Sequence, residues 1–217
     1  MIRLQRVDKF YKINGFRKTI LDDASIIFEP GHSYAILGVN GAGKSTTIRL
    51  LSGAELPNRG RIMRTVRVSW PLGFTGGLHP NMTGRENISF IARIHGEDDR
   101  HALEFVADFA EIGPYLDAPV RTYSTGMLAR LAFGLSMAID FECYLIDEVL
   151  GAGDARFRAR CATEFANRRR FADVIMASHD IPTVKAYCDR GVVLSDGRFQ
   201  YFESIDEAIE VYKKTNM

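Results

Sequence analysis

Eight consecutive residues, Gly38-Val39-Asn40-Gly41-Ala42-Gly43-Lys44-Ser45, constrain this chain more than any other stretch. Gly38, Gly41 and Gly43 let the backbone turn tightly and bring its N–H groups up to an anion. Lys44 is a cation able to reach β- and γ-phosphates, and the Ser45 hydroxyl suits Mg²⁺. The run before the loop, Ser33 to Leu37, reads as a short buried strand. Thr46 to Ser52 reads as a helix stopped by Gly53. That helix aims its positive end at the same anion. The expected phosphate-binding residues are Gly38, Asn40, Gly41, Ala42, Gly43, Lys44, Ser45 and Thr46. By itself the loop specifies a nucleoside triphosphate and nothing narrower.

A second element supplies acids. Tyr144-Leu145-Ile146-Asp147-Glu148 is an apolar strand ending in two carboxylates, within a run expected to be strand from Phe141 to Ile146. Asp147 can hold Mg²⁺ beside Ser45, and Glu148 can polarise an attacking water as general base. Strand also fits Leu21 to Phe28, which ends at the turn signal Glu29-Pro30-Gly31, and Val174 to Ala177. Val192 to Leu194 and Arg198 to Tyr201 flank Ser195-Asp196-Gly197 and predict a hairpin. Between these strand-rich ends lies a helical insertion. Thr83 and Glu86 form a capping box opening a helix with Ile88, Ile91 and Ala92 on one face, ending at Gly96. A second helix is expected from about Asp98 to Ile112 and a third after Ser124-Thr125-Gly126. A last capping box, Ser204 with Glu207, opens an amphipathic helix with Ile205, Ala208, Ile209 and Tyr212 on its inner face. Such alternation implies a mostly parallel sheet covered by helices.

Bulk properties exclude several function classes. Among 217 residues the net charge is +1, so no global basic field serves nucleic acid or an anionic membrane. The one dense basic run, Arg168-Arg169-Arg170, reads as a solvated helix end. The three cysteines, Cys143, Cys161 and Cys188, have no zinc-type spacing and suit a reducing compartment. The N-terminus has no apolar core of signal-peptide length, and no stretch approaches the roughly 20 apolar residues of a spanning helix. Any membrane role is therefore expected to run through a partner.

Five elements in fixed order resemble an ABC-type nucleotide-binding domain over essentially the whole chain. Besides the phosphate loop and the Asp147-Glu148 pair, Tyr123-Ser124-Thr125-Gly126-Met127 resembles the family's signature. Gly151-Ala152-Gly153-Asp154 resembles its D-loop, and Ser178-His179-Asp180 its switch-histidine loop. Tyr11 resembles the aromatic that stacks on adenine. The resemblance implies an α/β fold: a P-loop NTPase, RecA-like core with an antiparallel β subdomain and an inserted α-helical subdomain. It implies one domain over 1–217, with the helical signature subdomain at about 75–138. It implies ATP and Mg²⁺ as ligands, Ser45 and Asp147 on the metal, and Glu148 and His179 as catalytic groups. Ser124 and Gly126 are expected to cap the γ-phosphate held by a second copy, packed head to tail. The other implied partner is a polytopic membrane permease, which would hold the chain at the cytoplasmic face of the inner membrane. A soluble ABC ATPase acting on DNA or ribosomes is the rival reading, disfavoured by the near-neutral charge and the lack of a coiled coil or second cassette.

Departures from the family pattern narrow the resemblance. Thr125 and Met127 stand where Gly and Gln are usual, and Gly153 precedes Asp154. Val68 to Gly77 occupies the Q-loop region without a Gln, so the metal contact of that loop is unassigned. Trp70-Pro71-Leu72-Gly73-Phe74, Thr83-Gly84-Arg85-Glu86-Asn87, Tyr123 to Met127 and Gly153 to Phe157 together resemble the ATPases of bacterial capsular-polysaccharide exporters. O-antigen and teichoic-acid exporters share part of this pattern. Some of those carry an extra domain after the ATPase; with the sequence ending at Met217, none is expected here.

Overall fold

The computed structural model describes residues 1–13, 15–147 and 154–215. In chain order the strands are β1 (Ile2–Ile13), β2 (Phe16–Phe28), β3 (Tyr34–Leu37), β4 (Arg59–Arg64), β5 (Val68–Pro71), β6 (Cys143–Asp147), β7 (Asp173–Ala177), β8 (Arg190–Ser195) and β9 (Arg198–Phe202). The helices are α1 (Lys44–Ser52), α2 (Gly84–Ile94), α3 (Asp99–Ala110), α4 (Thr125–Ala138), α5 (Ala155–Arg168), α6 (Ile181–Tyr187) and α7 (Ile205–Thr215). They fall into two compact units.

The first unit comprises Met1–Pro71, the described part of Phe141–Glu148 and the described part of Phe171–Met217. It holds a six-stranded sheet in the order β5-β6-β7-β3-β8-β9 and a three-stranded sheet in the order β2-β1-β4. The six-stranded sheet is parallel except for β9, which returns antiparallel on β8. The expected hairpin is present there, with Asp196 and Gly197 both at positive φ, as a two-residue turn between twisted strands requires. All four residues of β3 are buried, as are the first four of β6, which explains their unbroken apolar sequences. Ile36, Ile48, Leu50, Leu145, Ile175 and Val192 close the core around them. The three-stranded sheet is antiparallel throughout and interrupted by bulges in β1.

The second unit comprises Leu72–Asp140 and the described part of Val149–Arg170. Helices α2 to α5 pack around an aromatic core in which Phe109 meets Phe133 at 6.0 Å and Phe157 at 5.5 Å. The basic run ends α5 as expected, and Arg168 is held by ion pairs to Glu164 and Asp140. The Thr83 capping box forms in full: Glu86 N–H donates to Thr83 Oγ1 (3.1 Å) and Thr83 N–H to Glu86 Oε2 (2.8 Å). Replacing Thr83 by Ala should destabilise the protein by about 1 kcal/mol, whereas Thr83→Ser should be nearly neutral. Chemical denaturation of both variants is the check, and equal midpoints would remove the cap from the account.

Several expectations shift. Helix α1 begins at Lys44, not Thr46, because the end of the phosphate loop is already the first helical turn. Helix α2 ends at Ile94 with His95 as its C-cap, ahead of Gly96. Strand β6 starts at Cys143, and Phe141 instead packs edge-on against Trp70 and Tyr144. Ser204 precedes α7, but its hydroxyl accepts from Asp206 N–H (3.3 Å), one residue short of the predicted Glu207. All three cysteines are free and buried. Burial pushes the Cys143 and Cys161 thiols up to about 12, so both are inert at neutral pH.

Candidate active site

The C-terminal edge of the six-stranded sheet gathers the predicted chemistry. Ala177 of β7 pairs with Ile36 of β3 on one side and Asp147 of β6 on the other. The phosphate loop leaves β3 just past Ile36. Asp147 ends β6, and Ser178 and His179 follow β7. Three consecutive strands thus present their loops to one edge, where open α/β sheets bind ligands.

The loop's shape follows from its glycines. Gly43 has φ 108, and a Cβ there would stand 2.4 Å from Ile20 Cγ2. A Cβ on Gly38 would stand 2.6 Å from the Leu194 carbonyl oxygen. Side chains at either position would drive the loop off the sheet. Lys44 folds back under the loop, only 6% exposed, and its Nζ donates to the carbonyls of Gly38 (2.8 Å) and Val39 (3.2 Å). Buried against backbone oxygens, the ammonium stands beside the concavity where the loop can receive phosphate oxygens. Thr47 completes the first turn of α1, its hydroxyl donating to Gly43 O (3.0 Å).

Beside the loop, Ser45 Oγ donates to Asp147 Oδ1 at 2.9 Å. A hydroxyl and a carboxylate at the strand end form a small hard-oxygen donor set, and this fits Mg²⁺. Among the described residues no group of three or more His, Cys, Asp and Glu has metal-holding spacing.

A cavity of about 290 Å³ opens over the loop, lined by Tyr11, Asn40, Gly41, Lys44, Ser45 and Thr46 among others. Lys18 and Ile20 also line it and were missed from sequence. Tyr11 and Lys18 are cross-strand partners in the β1–β2 hairpin, so only the register reveals that Lys18 belongs beside the predicted aromatic. A larger groove of about 950 Å³ runs along the three-stranded sheet by Arg3, Arg6, Arg59 and Arg61; it contains no loop residue.

The other predicted residues divide as follows. His179 is exposed, and Asp180 N-caps α6. Ser124, in the second unit, N-caps α4 by accepting from Met127 N–H (3.2 Å), with Gly126 in the same first turn. Asp154 N-caps α5, accepting from Phe157 N–H (2.9 Å) and Arg130 (2.7 Å). Glu148 and the D-loop residues Gly151 to Gly153 lie outside the described residues.

A phosphate loop at the edge of a parallel sheet, with a Ser–Asp pair beside it, defines a P-loop nucleotide-binding protein. The ABC transporter family profile matches residues 21–151. The capsule polysaccharide export ATP-binding protein CtrD of Neisseria meningitidis serogroup B is 46% identical over 98% of this chain and 98% of its own. The ATP-binding protein BexA of Haemophilus influenzae is 44% identical over 99% of both. The dimeric ATP-binding cassette MJ0796, bound to ADP and Pi, superimposes with a TM-score of 0.72 at 20% identity, over 92% of this chain and 97% of that one. The chain belongs to the ABC transporter family and is an ATPase of that family.

Proposed function

We propose that this ATPase powers export of capsular polysaccharide, a lipid-linked glycan, across the inner membrane. The observation that carries the reading is near-full-length identity above 40% to CtrD, a capsule polysaccharide export protein, and to BexA. Residues 1–217 act as one nucleotide-binding domain, with the signature in a helical part at about 75–138. No helix among the described residues is long and apolar enough to cross a membrane. In this reading the chain works from the cytoplasmic face through a polytopic permease, as an export ATP-binding subunit similar to CtrD would.

ATP binds with its phosphates in the loop formed by Gly38, Asn40, Gly41, Ala42, Gly43, Lys44, Ser45 and Thr46, and with adenine against Tyr11. Ser45 and Asp147 hold Mg²⁺, which supplies Lewis-acid charge neutralisation on the phosphate oxygens. Glu148 takes a proton from the attacking water, and His179 orients the γ-phosphate. Two copies pack head to tail. Ser124, Gly126 and the N-terminus of α4 then cap the γ-phosphate bound by the other copy. ATP binding closes the pair and hydrolysis reopens it.

The segment from Gly73 to Asn87 meets the permease. Asn87, fully buried in α2, clamps this segment: it accepts from His79 N–H (2.7 Å) and donates to the carbonyls of His79 (3.1 Å) and Thr83 (2.9 Å). Phe74 is exposed within this segment, and Phe90 and Ile94 are exposed one turn apart on α2, apolar side chains of the kind that receive a partner helix. Deleting the gene should leave polymer inside the cell, with surface polysaccharide restored by wild type and not by Lys44→Ala. A normal capsule in the deletion strain, with no second copy of the gene, would refute the assignment.

A further inference from the structure

We infer that Glu55 is a positioning residue for the nucleotide base, tying the Tyr11 ring to the phosphate side of the cavity at Thr46. The inference rests on the reading of Tyr11 as the base-stacking residue. Glu55 follows α1 and lies 44 residues from Tyr11 in the chain, yet Tyr11 Oη donates to Glu55 Oε1 at 2.6 Å. The same oxygen receives Lys9 Nζ at 2.8 Å, and Arg49 Nε donates to Oε2 at 3.2 Å. Arg49 Nη2 in turn donates to Thr46 Oγ1 at 3.1 Å, which also lies 3.5 Å from Tyr11 Oη. One carboxylate thus joins a strand residue under the base to the first turn of the phosphate-loop helix.

Several observations separate this cluster from a solvated ion pair. Lys9 is buried, and its ammonium also donates to the Leu56 carbonyl (2.8 Å) and stands 5.1 Å from the Tyr11 ring centroid. The Glu55 side chain is 21% exposed. Burial alone would raise its carboxyl, but the hydrogen bonds from Lys9, Tyr11 and Arg49 outweigh this and hold it below its ordinary value. Charge-assisted bonds in a shielded cluster of this kind are the strong ones. The Tyr11 backbone is already paired with Lys18 of β2, so the bond to Glu55 adds restraint on the phenol end of the ring and not on the strand. With the phenol held, the ring is set before a base arrives and little rotamer entropy is lost on stacking.

The test is steady-state ATP hydrolysis together with competition by inorganic tripolyphosphate, which has no base. Glu55→Gln keeps the shape and removes the charge that holds two cations and a phenol. It should raise KM for ATP about five- to tenfold and leave kcat within about twofold. Inhibition by tripolyphosphate should move less than about twofold. Tyr11→Phe keeps the ring and removes the tie, so it should raise KM in the same way, and the double variant should be little worse than either single one. Equal weakening of ATP and tripolyphosphate by Glu55→Gln would make Glu55 a plain structural residue. Effects that multiply in the double variant would also overturn the inference. Should Glu55→Gln fail to fold, Tyr11→Phe decides alone, since it leaves the carboxylate and both cations in place; wild-type KM in that variant would sink the idea. Tyr11→Ala separates the inference from the reading beneath it. If it leaves ATP's advantage over tripolyphosphate intact, Tyr11 is not the base wall and both fall. If it removes the advantage while Glu55→Gln does not, only the role of Glu55 fails.

Discussion

Replacing Lys44 by Ala is expected to lower ATP turnover by at least about a hundredfold, with tight ATP binding lost as well. The size of the effect follows from where the ammonium sits. Lys44 is buried and held by the Gly38 and Val39 carbonyls, at 2.8 and 3.2 Å, so it meets an incoming phosphate already oriented and largely stripped of water. A preorganised charge of that kind counts for more than the same charge in water. Alanine also removes the ammonium that bridges those two carbonyls, leaving Val39 O with only the Ala42 N–H (3.1 Å), so the loop is freer to relax. Equilibrium ATP binding and single-turnover hydrolysis separate the two losses. Arginine should not rescue, because its planar fork cannot occupy the compact position under the loop. A Lys44→Ala protein that hydrolyses ATP within about tenfold of wild type would mean that the phosphates are held elsewhere.

The phosphate loop was legible because its chemistry is local. Gly38, Gly43, Lys44 and Ser45 lie within eight residues, and their spacing alone states what they must do. The Thr83–Glu86 box and the Asp196–Gly197 turn were legible for the same reason, since caps and tight turns are decided by neighbours. Strand β4 was not. Its sequence, Arg-Gly-Arg-Ile-Met-Arg, is exposed at five of six positions, so it carries no alternation and exists only because β1 pairs with it. Lys18 and Glu55 escaped for a related reason. One reaches the cavity through hairpin register and the other through a hydrogen bond spanning 44 residues. Strand β4 and Glu55 escaped because their partners are distant in the chain, whereas Lys18 is near Tyr11 in sequence and only the hairpin register brings the two side by side. The Asp147–Ser45 pair, 102 residues apart, was expected only because the loop's chemistry calls for an acid at a strand end.

Asp147, which ends β6, and Glu148, the next residue in the sequence, should fail in different ways when each is made neutral. Asp147 accepts from Ser45 Oγ at 2.9 Å, so its carboxylate faces the hydroxyl proposed to share the metal. Asp147→Asn keeps the shape and loses the charge. The expected result is a raised Mg²⁺ requirement: hydrolysis about a hundredfold slower at limiting metal, with part of the rate recovered as Mg²⁺ is increased. Glu148 has the other proposed task, accepting a proton from water. An amide cannot do that, so Glu148→Gln should bind ATP normally, keep the wild-type Mg²⁺ requirement, and turn over at least about a hundred times more slowly at every metal concentration. With hydrolysis blocked and binding intact, the ATP-bound pair should persist as a dimer on size exclusion. Metal titrations of both variants decide between the roles. A Glu148→Gln protein that turns over at the wild-type rate would show that another group takes the proton. An Asp147→Asn protein with an unchanged Mg²⁺ requirement would move the metal away from the Ser45–Asp147 pair.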